Sequence, residues 1–269
     1  MHPVLFDFGG FTIYAYGVLL AAAYLLGLQF ALVRARARGL DPNRVMDLGI
    51  WIIISALVGA KLLLLIVEWE TFTQDPREIL TLLRSGGVFY GGLIAAVAVA
   101  LWYLKRHRLP MWTVTDVFAP GIALGHVVGR TGCLFAGCCF GRATDVPWAI
   151  TFRNEFAAQN VGTPLNIPLH PTQLYEAGAE LLILIFLLVT ERKGRPFPGR
   201  TFWGYLLLYG VSRFIIEFYR GDARGLVGSL STSQFVSAVI VPLSLVMLFL
   251  LSRRVTPEPK DAAKRARAA

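Results

Sequence analysis

The length of its uncharged stretches limits most strongly what this chain can become. Residues 13–33 (IYAYGVLLAAAYLLGLQFALV) and 87–104 carry no charge, and 48–67 is interrupted only by Lys61. Further apolar runs cover 181–190, 201–212 and 231–252. A bilayer-spanning helix needs about 20 predominantly apolar residues, and each run reaches that length alone or by extension into its flanks. Composition agrees: the chain is 55% hydrophobic and 16% charged, with mean hydropathy +0.58, whereas a soluble domain carries roughly 25% charged residues. These runs specify an all-α integral membrane protein.

A further span, 112–130, is less apolar because it holds Asp116, Pro120 and His126. Charge argues for it. Basic residues collect on cytoplasmic loops. The connections after the first, third and fifth spans and the tail from Ser252 hold four, three, four and six basic residues, seventeen in all. The opposite side holds six: Arg77, Arg84, Arg142, Arg153, Arg220 and Arg224. This asymmetry requires 112–130 to cross, which gives seven transmembrane helices with the N-terminus outside and the C-terminus cytoplasmic. Residues 1–252 then form one membrane domain, 131–170 a small extracytoplasmic cap, and 253–269 a basic, disordered cytoplasmic tail. The first span lacks a positive n-region and an A-x-A-like site, so it is expected to be a permanent helix. The net charge of +9 follows from topology and from anchoring to anionic headgroups, with no call for nucleic acid. Within the cap, DVPWAITF (145–152) suggests a short extended piece and GTPLNIPLHP (162–171) a proline-rich coil.

Ionisable residues inside a span are costly and mark cavities or partners. Lys61 lies in the second span; Asp116, His126 and Arg130 lie in the fourth, the last two one helical turn apart. Tyr209, Arg213 and Glu217 form an i, i+4, i+8 stripe in the sixth, and Glu176 stands in the first turn of the fifth. Structural alternatives stand beside a functional use. Arg213–Glu217 serves equally as an intrahelical pair, Arg130 and Arg220 as snorkelling side chains, and Lys61–Asp116 as a structural pair. Two arginines at matching depth, each with polar neighbours one turn away, suit a phospholipid headgroup, because the guanidinium fork grips phosphate in two places. All three cysteines fall within GRTGCLFAGCCFG (129–141). A catalytic thiol competes there with packing in a glycine-rich turn and with a Cys133–Cys138 disulfide that leaves Cys139 free. A zinc set completed by His126 or His170 is a further alternative, against which the adjacent Cys138 and Cys139 argue.

With YAYG at 14–17, GGLIA at 91–95, GR-x-G at 129–132, HPTQLYE at 170–176 and YGVSRFIIEFYR at 209–220, the chain resembles the prolipoprotein diacylglyceryl transferase family over nearly its whole length. The resemblance implies seven spans with the N-terminus outside, in the bacterial cytoplasmic (inner) membrane. It implies transfer of diacylglyceryl from phosphatidylglycerol to the lipobox cysteine of a preprolipoprotein signal peptide, forming a thioether and releasing glycerol phosphate. No metal or organic cofactor is implied, and the partners are those two substrates and the surrounding membrane lipids. Position by position, Arg130 and Arg213 match the family's essential arginines, Tyr16 and Tyr209 its functional tyrosines, Glu217 its span-six acid and Gly141 its motif glycine. Four positions depart from the pattern. Tyr90-Gly91-Gly92 stands for His-Gly-Gly, Cys133 for an asparagine of the substrate loop, and Ala136 and Cys138 for a later asparagine and acid. His126 is therefore expected to replace the missing base, and Tyr90 to hydrogen-bond the lipid glycerol. The departures also leave open a related enzyme with a different acceptor and a non-catalytic lipid-binding protein.

Overall fold

A computed structural model of the chain describes residues 3–9, 12–74, 87–194, 197–222 and 225–254. Two antiparallel strands, β1 (Val4–Asp7) and β2 (Thr12–Tyr14), lead into α1 (Ala15–Ala37). There follow α2 (Pro42–Val67), the short α3 (Trp69–Gln74), α4 (Phe89–Arg106) and α5 (Met111–Ala136). A non-membrane segment then carries β3 (Ile150–Thr151), α6 (Glu155–Val161) and β4 (Pro168–Leu169). The chain continues through α7 (Thr172–Arg192) and α8 (Arg200–Ile216), which runs into a 3₁₀ turn over Glu217–Tyr219. A small hairpin of β5 (Leu226–Val227) and β6 (Leu230–Ser231) precedes α9 (Thr232–Arg253).

Among the described residues six helices, α1, α2, α4, α5, α7 and α9, are long and apolar enough to cross a bilayer, so this is a multi-pass helical membrane protein. The order of strength differs from the sequence expectation. The least apolar run, 112–130, lies in a helix of 26 residues, and the run that falls short is 201–212, in the 17-residue α8. Residue 131, where the cap is expected to begin, lies within a helix. Helix α5 continues to Ala136 and ends where Gly137 takes φ 80°, so Cys133 belongs to the last helical turn. Inside the cap, Ile150 pairs with Leu169 and Thr151 with Pro168, as DVPWAITF suggested. The helix α6 was not anticipated; Asn154 caps its start and left-handed Gly162 ends it. Arg253 closes α9, while residues 255–269 of the expected tail, with Arg77, Arg84 and Arg224, lie outside the described residues.

The chain divides into two compact units. In the unit Ala31–Val114, α2 and α4 meet backbone to backbone. A Cβ on Gly59 would fall 2.5 Å from the Gly91 carbonyl oxygen, and one on Gly92 2.8 Å from that of Ala56. Small residues permit such approaches between helices in lipid, where dispersion and not water exclusion drives packing. The glycine pair of the GGLIA stretch is explained by this contact.

The unit of Met1–Phe30 and Thr115–Ala269 has its apolar core between α5, α7 and α8, where Ala119, Ala123, Ile183, Leu184, Leu187 and Tyr205 are buried together. Asp116 sets the register of this group. Its carboxylate accepts from Gly199 N (2.8 Å) and Phe202 N (2.9 Å), two of the donors left open at the start of α8. A side chain from another helix thus supplies the N-cap that Gly199, having none, cannot. Replacing Asp116 with Ala is expected to lower the thermal midpoint of the detergent-purified protein, in line with a cap loss of about 1–2 kcal/mol. Asp116→Asn keeps an acceptor and should recover much of the difference, and equal midpoints for Ala and wild type would show the cap to be dispensable.

Candidate active site

Helices α5, α7 and α8 each present polar residues at four-residue spacing, one above the other on a single face. On α5 these are His126 and Arg130, on α7 Glu176 and Glu180, and on α8 Tyr205, Tyr209, Arg213 and the following Glu217. The stripes mesh. Arg130 Nη2 lies 2.6 Å from Glu176 Oε2, and one turn away His126 Nδ1 lies 2.6 Å from Glu180 Oε1. Advancing four residues on α5 matches retreating four on α7, as two antiparallel helices require.

Glu176 is the hub. Its second oxygen, Oε1, receives Arg213 Nη1 at 3.0 Å and Arg220 Nη1 at 2.9 Å. Three guanidinium groups therefore share one buried carboxylate. Behind it, Arg213 Nη2 reaches Glu217 at 2.6 Å and Ser233 Oγ at 3.0 Å. Arg220 binds Asp222 twice, through Nε at 2.8 Å and Nη2 at 2.7 Å. Burial pushes against the charge of Arg220, but the hydrogen bonds to Asp222, together with the charges of Cys139, Glu176 and Asp222, outweigh it and hold its pKa above the ordinary range. The snorkelling expected of Arg220 is thus not observed: 2% of its side chain is exposed. Arg130 is the most accessible of the three, at 21%.

The expected site residues are mostly brought together. Arg130 and Arg213 meet on Glu176, and Glu217 pairs with Arg213. Tyr209 stacks on Tyr205 and approaches the His126 ring, at 5.8 and 5.5 Å between centroids. Tyr205 donates to Glu180 Oε1 at 3.3 Å, and its hydroxyl lies 3.1 Å from His126 Nδ1. Tyr16, half-exposed on α1, lies against Gly132, where an added Cβ would stand 3.5 Å from its ring. Tyr90 belongs to the other unit, at the start of α4, where its ring meets Phe89 edge-on.

Gly141 is required by close approach. Its N donates to His170 O (3.1 Å), and a Cβ there would lie 2.5 Å from that of His170 and 2.8 Å from Tyr219 O. Arg142 N and Gly221 N continue this seam to Tyr219 O and Phe140 O. The segment after α5, the start of α7 and the end of α8 are sewn together there.

Cys133, Cys138 and Cys139 are all free thiols, so of the alternatives raised by the sequence the Cys133–Cys138 disulfide is not formed. Arg130 Nη1 donates to Cys139 Sγ at 3.6 Å. Interaction with the neighbouring Cys133 and Cys138 side chains, followed by the nearby Arg220 and Arg130 charges, draws the Cys139 pKa down, while interaction with Cys133 and Cys139 drives that of Cys138 up. His126 Nδ1 meets Glu180 and His170 Nδ1 lies 3.1 Å from the Tyr175 hydroxyl, and among the described residues the ligand group at the sulfurs holds the three cysteines without either histidine.

Sequence reasoning noted Glu176 without a role and passed over Glu180 and Tyr205. The signal was available, since Glu176–Glu180 repeats the four-residue step of His126–Arg130, and Tyr205 extends the α8 stripe by one turn.

Fold and site define a multi-pass helical membrane protein that gathers three guanidinium groups around one carboxylate inside its helix bundle. The chain belongs to the prolipoprotein diacylglyceryl transferase family, which it matches over residues 3–250. It is 39% identical to the phosphatidylglycerol–prolipoprotein diacylglyceryl transferase of Clostridium tetani over 237 residues, covering 88% of this chain and 92% of that one. A second such transferase, from Clostridium perfringens, is 36% identical with 90% and 92% covered, and that of Synechococcus elongatus 34% identical with 93% and 89% covered.

Removing the hub leaves three buried guanidinium groups competing for two carboxylates. Breaking a buried ion pair from one side costs about 3–5 kcal/mol. Glu176→Ala is therefore expected to reduce the yield of folded protein and its thermal midpoint sharply. Glu176→Gln, which keeps the shape and one acceptor, should lose less. An Ala variant as stable as wild type, measured by thermal unfolding in detergent, would show that Glu176 does not hold the cluster together.

Proposed function

We propose that this protein transfers the diacylglyceryl group of phosphatidylglycerol to the lipobox cysteine of a prolipoprotein signal peptide, in the bacterial cytoplasmic membrane. The observation that carries the site assignment is the convergence of Arg130 and Arg213 on the two oxygens of one carboxylate. Glu176 thereby marks a seat of the size and charge that a phosphate, another anion with paired oxygens, would share between two guanidinium forks. Seven spans, with α8 extended by its 3₁₀ turn as the sixth and the N-terminus outside, are supported by the seventeen-to-six division of basic residues. That topology puts the arginine cluster near the outer leaflet, where signal peptides emerge.

In the reaction the peptide thiolate attacks the glycerol carbon esterified to phosphate. The carbon–sulfur bond forms, the carbon–oxygen bond breaks, and the departing glycerol phosphate takes the electron pair. Charge grows on the leaving phosphate, and fixed guanidinium groups stabilise that growth without reorganising. The thiol proton needs an acceptor. His126 serves: an ionised Glu180 can only accept, so Nδ1 carries the ring hydrogen and Nε2 is left to take the proton. Glu180 and Tyr205 act through His126 as positioning residues. Tyr16, Tyr209 and the loop of Cys133 and Gly141 are assigned to holding the lipid. Glu217 anchors Arg213 and takes no proton.

With purified protein, phosphatidylglycerol and a lipobox peptide, wild type should produce the thioether peptide. Arg130→Lys and Arg213→Lys should lower kcat by about 100-fold, since a point charge loses the two-point grip. His126→Gln should lose a similar factor and flatten the acid side of the pH profile, because the step it serves needs the neutral ring. Glu180→Gln should shift that profile while leaving lipid binding intact. Lipid consumed with the peptide untouched would assign a different acceptor, and unchanged turnover in His126→Gln would hand the proton to water.

A further inference from the structure

The three sulfur atoms of Cys133, Cys138 and Cys139 lie within 4.8 Å of one another, the only such ligand group among the described residues. Adjacent cysteines in a helix or strand point apart, and their spacing argued against a common ligand. The backbone removes that objection. Gly137 (φ 80°) and Cys139 (φ 62°) both adopt the left-handed conformation, which for a side chain larger than hydrogen is uncommon. The turn folds Cys138 and Cys139 back over Cys133, and the Cys138 thiol donates to the Cys133 carbonyl at 3.7 Å.

The turn is also held from behind. Thr172 Oγ1 donates to Cys139 O and Gln173 Nε2 to Cys138 O, each at 2.7 Å, and both side chains are wholly buried. Thr163 Oγ1 donates to Gly137 O at 3.0 Å. Supporting hydrogen bonds of this kind fix ligand orientation at metal sites. We propose that Cys133, Cys138 and Cys139 form a three-coordinate thiolate site for a soft, closed-shell metal ion, with copper(I) the best match.

Sulfur donors select copper(I) and zinc over hard ions. Zinc prefers four ligands, and among the described residues no histidine or carboxylate joins the three sulfurs within 4.8 Å. Copper(I) is satisfied by three sulfurs. At a metal–sulfur distance of about 2.3 Å, a planar trio places its sulfurs ~4.0 Å apart, so small rotations about the Cα–Cβ bonds close the site. Each thiol that binds releases its proton to solvent, and the ion keeps its oxidation state. The excess negative charge of the trio faces Arg130, whose Nη1 already donates to Cys139. The site shares Cys133 with the loop assigned to the lipid and borders Arg130, so its test reads metal binding and not turnover.

The full-length protein in detergent, under reducing anaerobic conditions, is titrated with copper(I) against a chromophoric copper(I) chelator. One equivalent should be withdrawn per chain, and iodoacetamide should then fail to label the three cysteines. Cys133→Ser, Cys138→Ser and Cys139→Ser should each weaken binding by at least 10-fold, and a triple variant with an unchanged thermal midpoint should not compete. Should the single variants misfold, protection from labelling in wild type still decides the matter. Failure of wild type to compete, full labelling in the presence of copper(I), or equal binding by the folded triple variant would overturn the proposal.

Discussion

The arrangement of α5, α7 and α8 rests on one constraint: a charge inside a bundle with apolar surroundings must find its counter-charge within the bundle. Glu176 answers for Arg130, Arg213 and Arg220 at once. Because the three arginines come from three places in the chain, a single carboxylate fixes where each must end. The stretch HPTQLYE is spent almost entirely on this junction. His170 O receives Gly141 N, Thr172 and Gln173 hold the cysteine turn, Tyr175 accepts from Trp148 at 2.7 Å, and Glu176 closes the cluster. Substituting any of these residues would disturb a partner far away in sequence.

The spans were legible in the sequence because bilayer crossing leaves a compositional mark at each residue of a helix. Helix α8 was harder to place by length, since its run shares space with Tyr205, Tyr209 and Arg213, and its end tightens into a 3₁₀ turn before a full bilayer length is reached. Within the site, Arg213–Glu217 could be read because both partners lie on one helix four residues apart. The pairing of Arg130 with Glu176 joins residues 46 positions apart, and nothing local distinguishes it from a pair of independent snorkelling groups. Only the matched four-residue steps on α5 and α7 carried that information. The closeness of the Cys138 and Cys139 sulfurs was hidden for a different reason: side-chain spacing rules assume ordinary backbone, and a left-handed cysteine breaks them.

Asp116 and Gly141 show the same limit from the fold side. An aspartate inside an apolar run looks like a binding group, yet here it completes the first turn of another helix. Gly141 looks like a flexible loop residue. Its φ is not in the left-handed region, so it is glycine because three backbones pass too closely for a Cβ.

The cluster is balanced in charge: Arg130, Arg213 and Arg220 against Glu176, Glu217 and Asp222. An anion entering such a site must replace an existing contact, and the contacts are unequal. Arg213 and Arg220 are 6% and 2% exposed, and each keeps a second carboxylate of its own. Arg130 is 21% exposed, and its second contact is a sulfur at 3.6 Å, a weak acceptor. Of the three, Arg130 gives up least by turning toward a phosphate, and Glu176 would still hold two arginines after it left. On the proposed function, then, Arg130 is the arm that meets the lipid headgroup and Arg213 the fixed wall against which it is pressed.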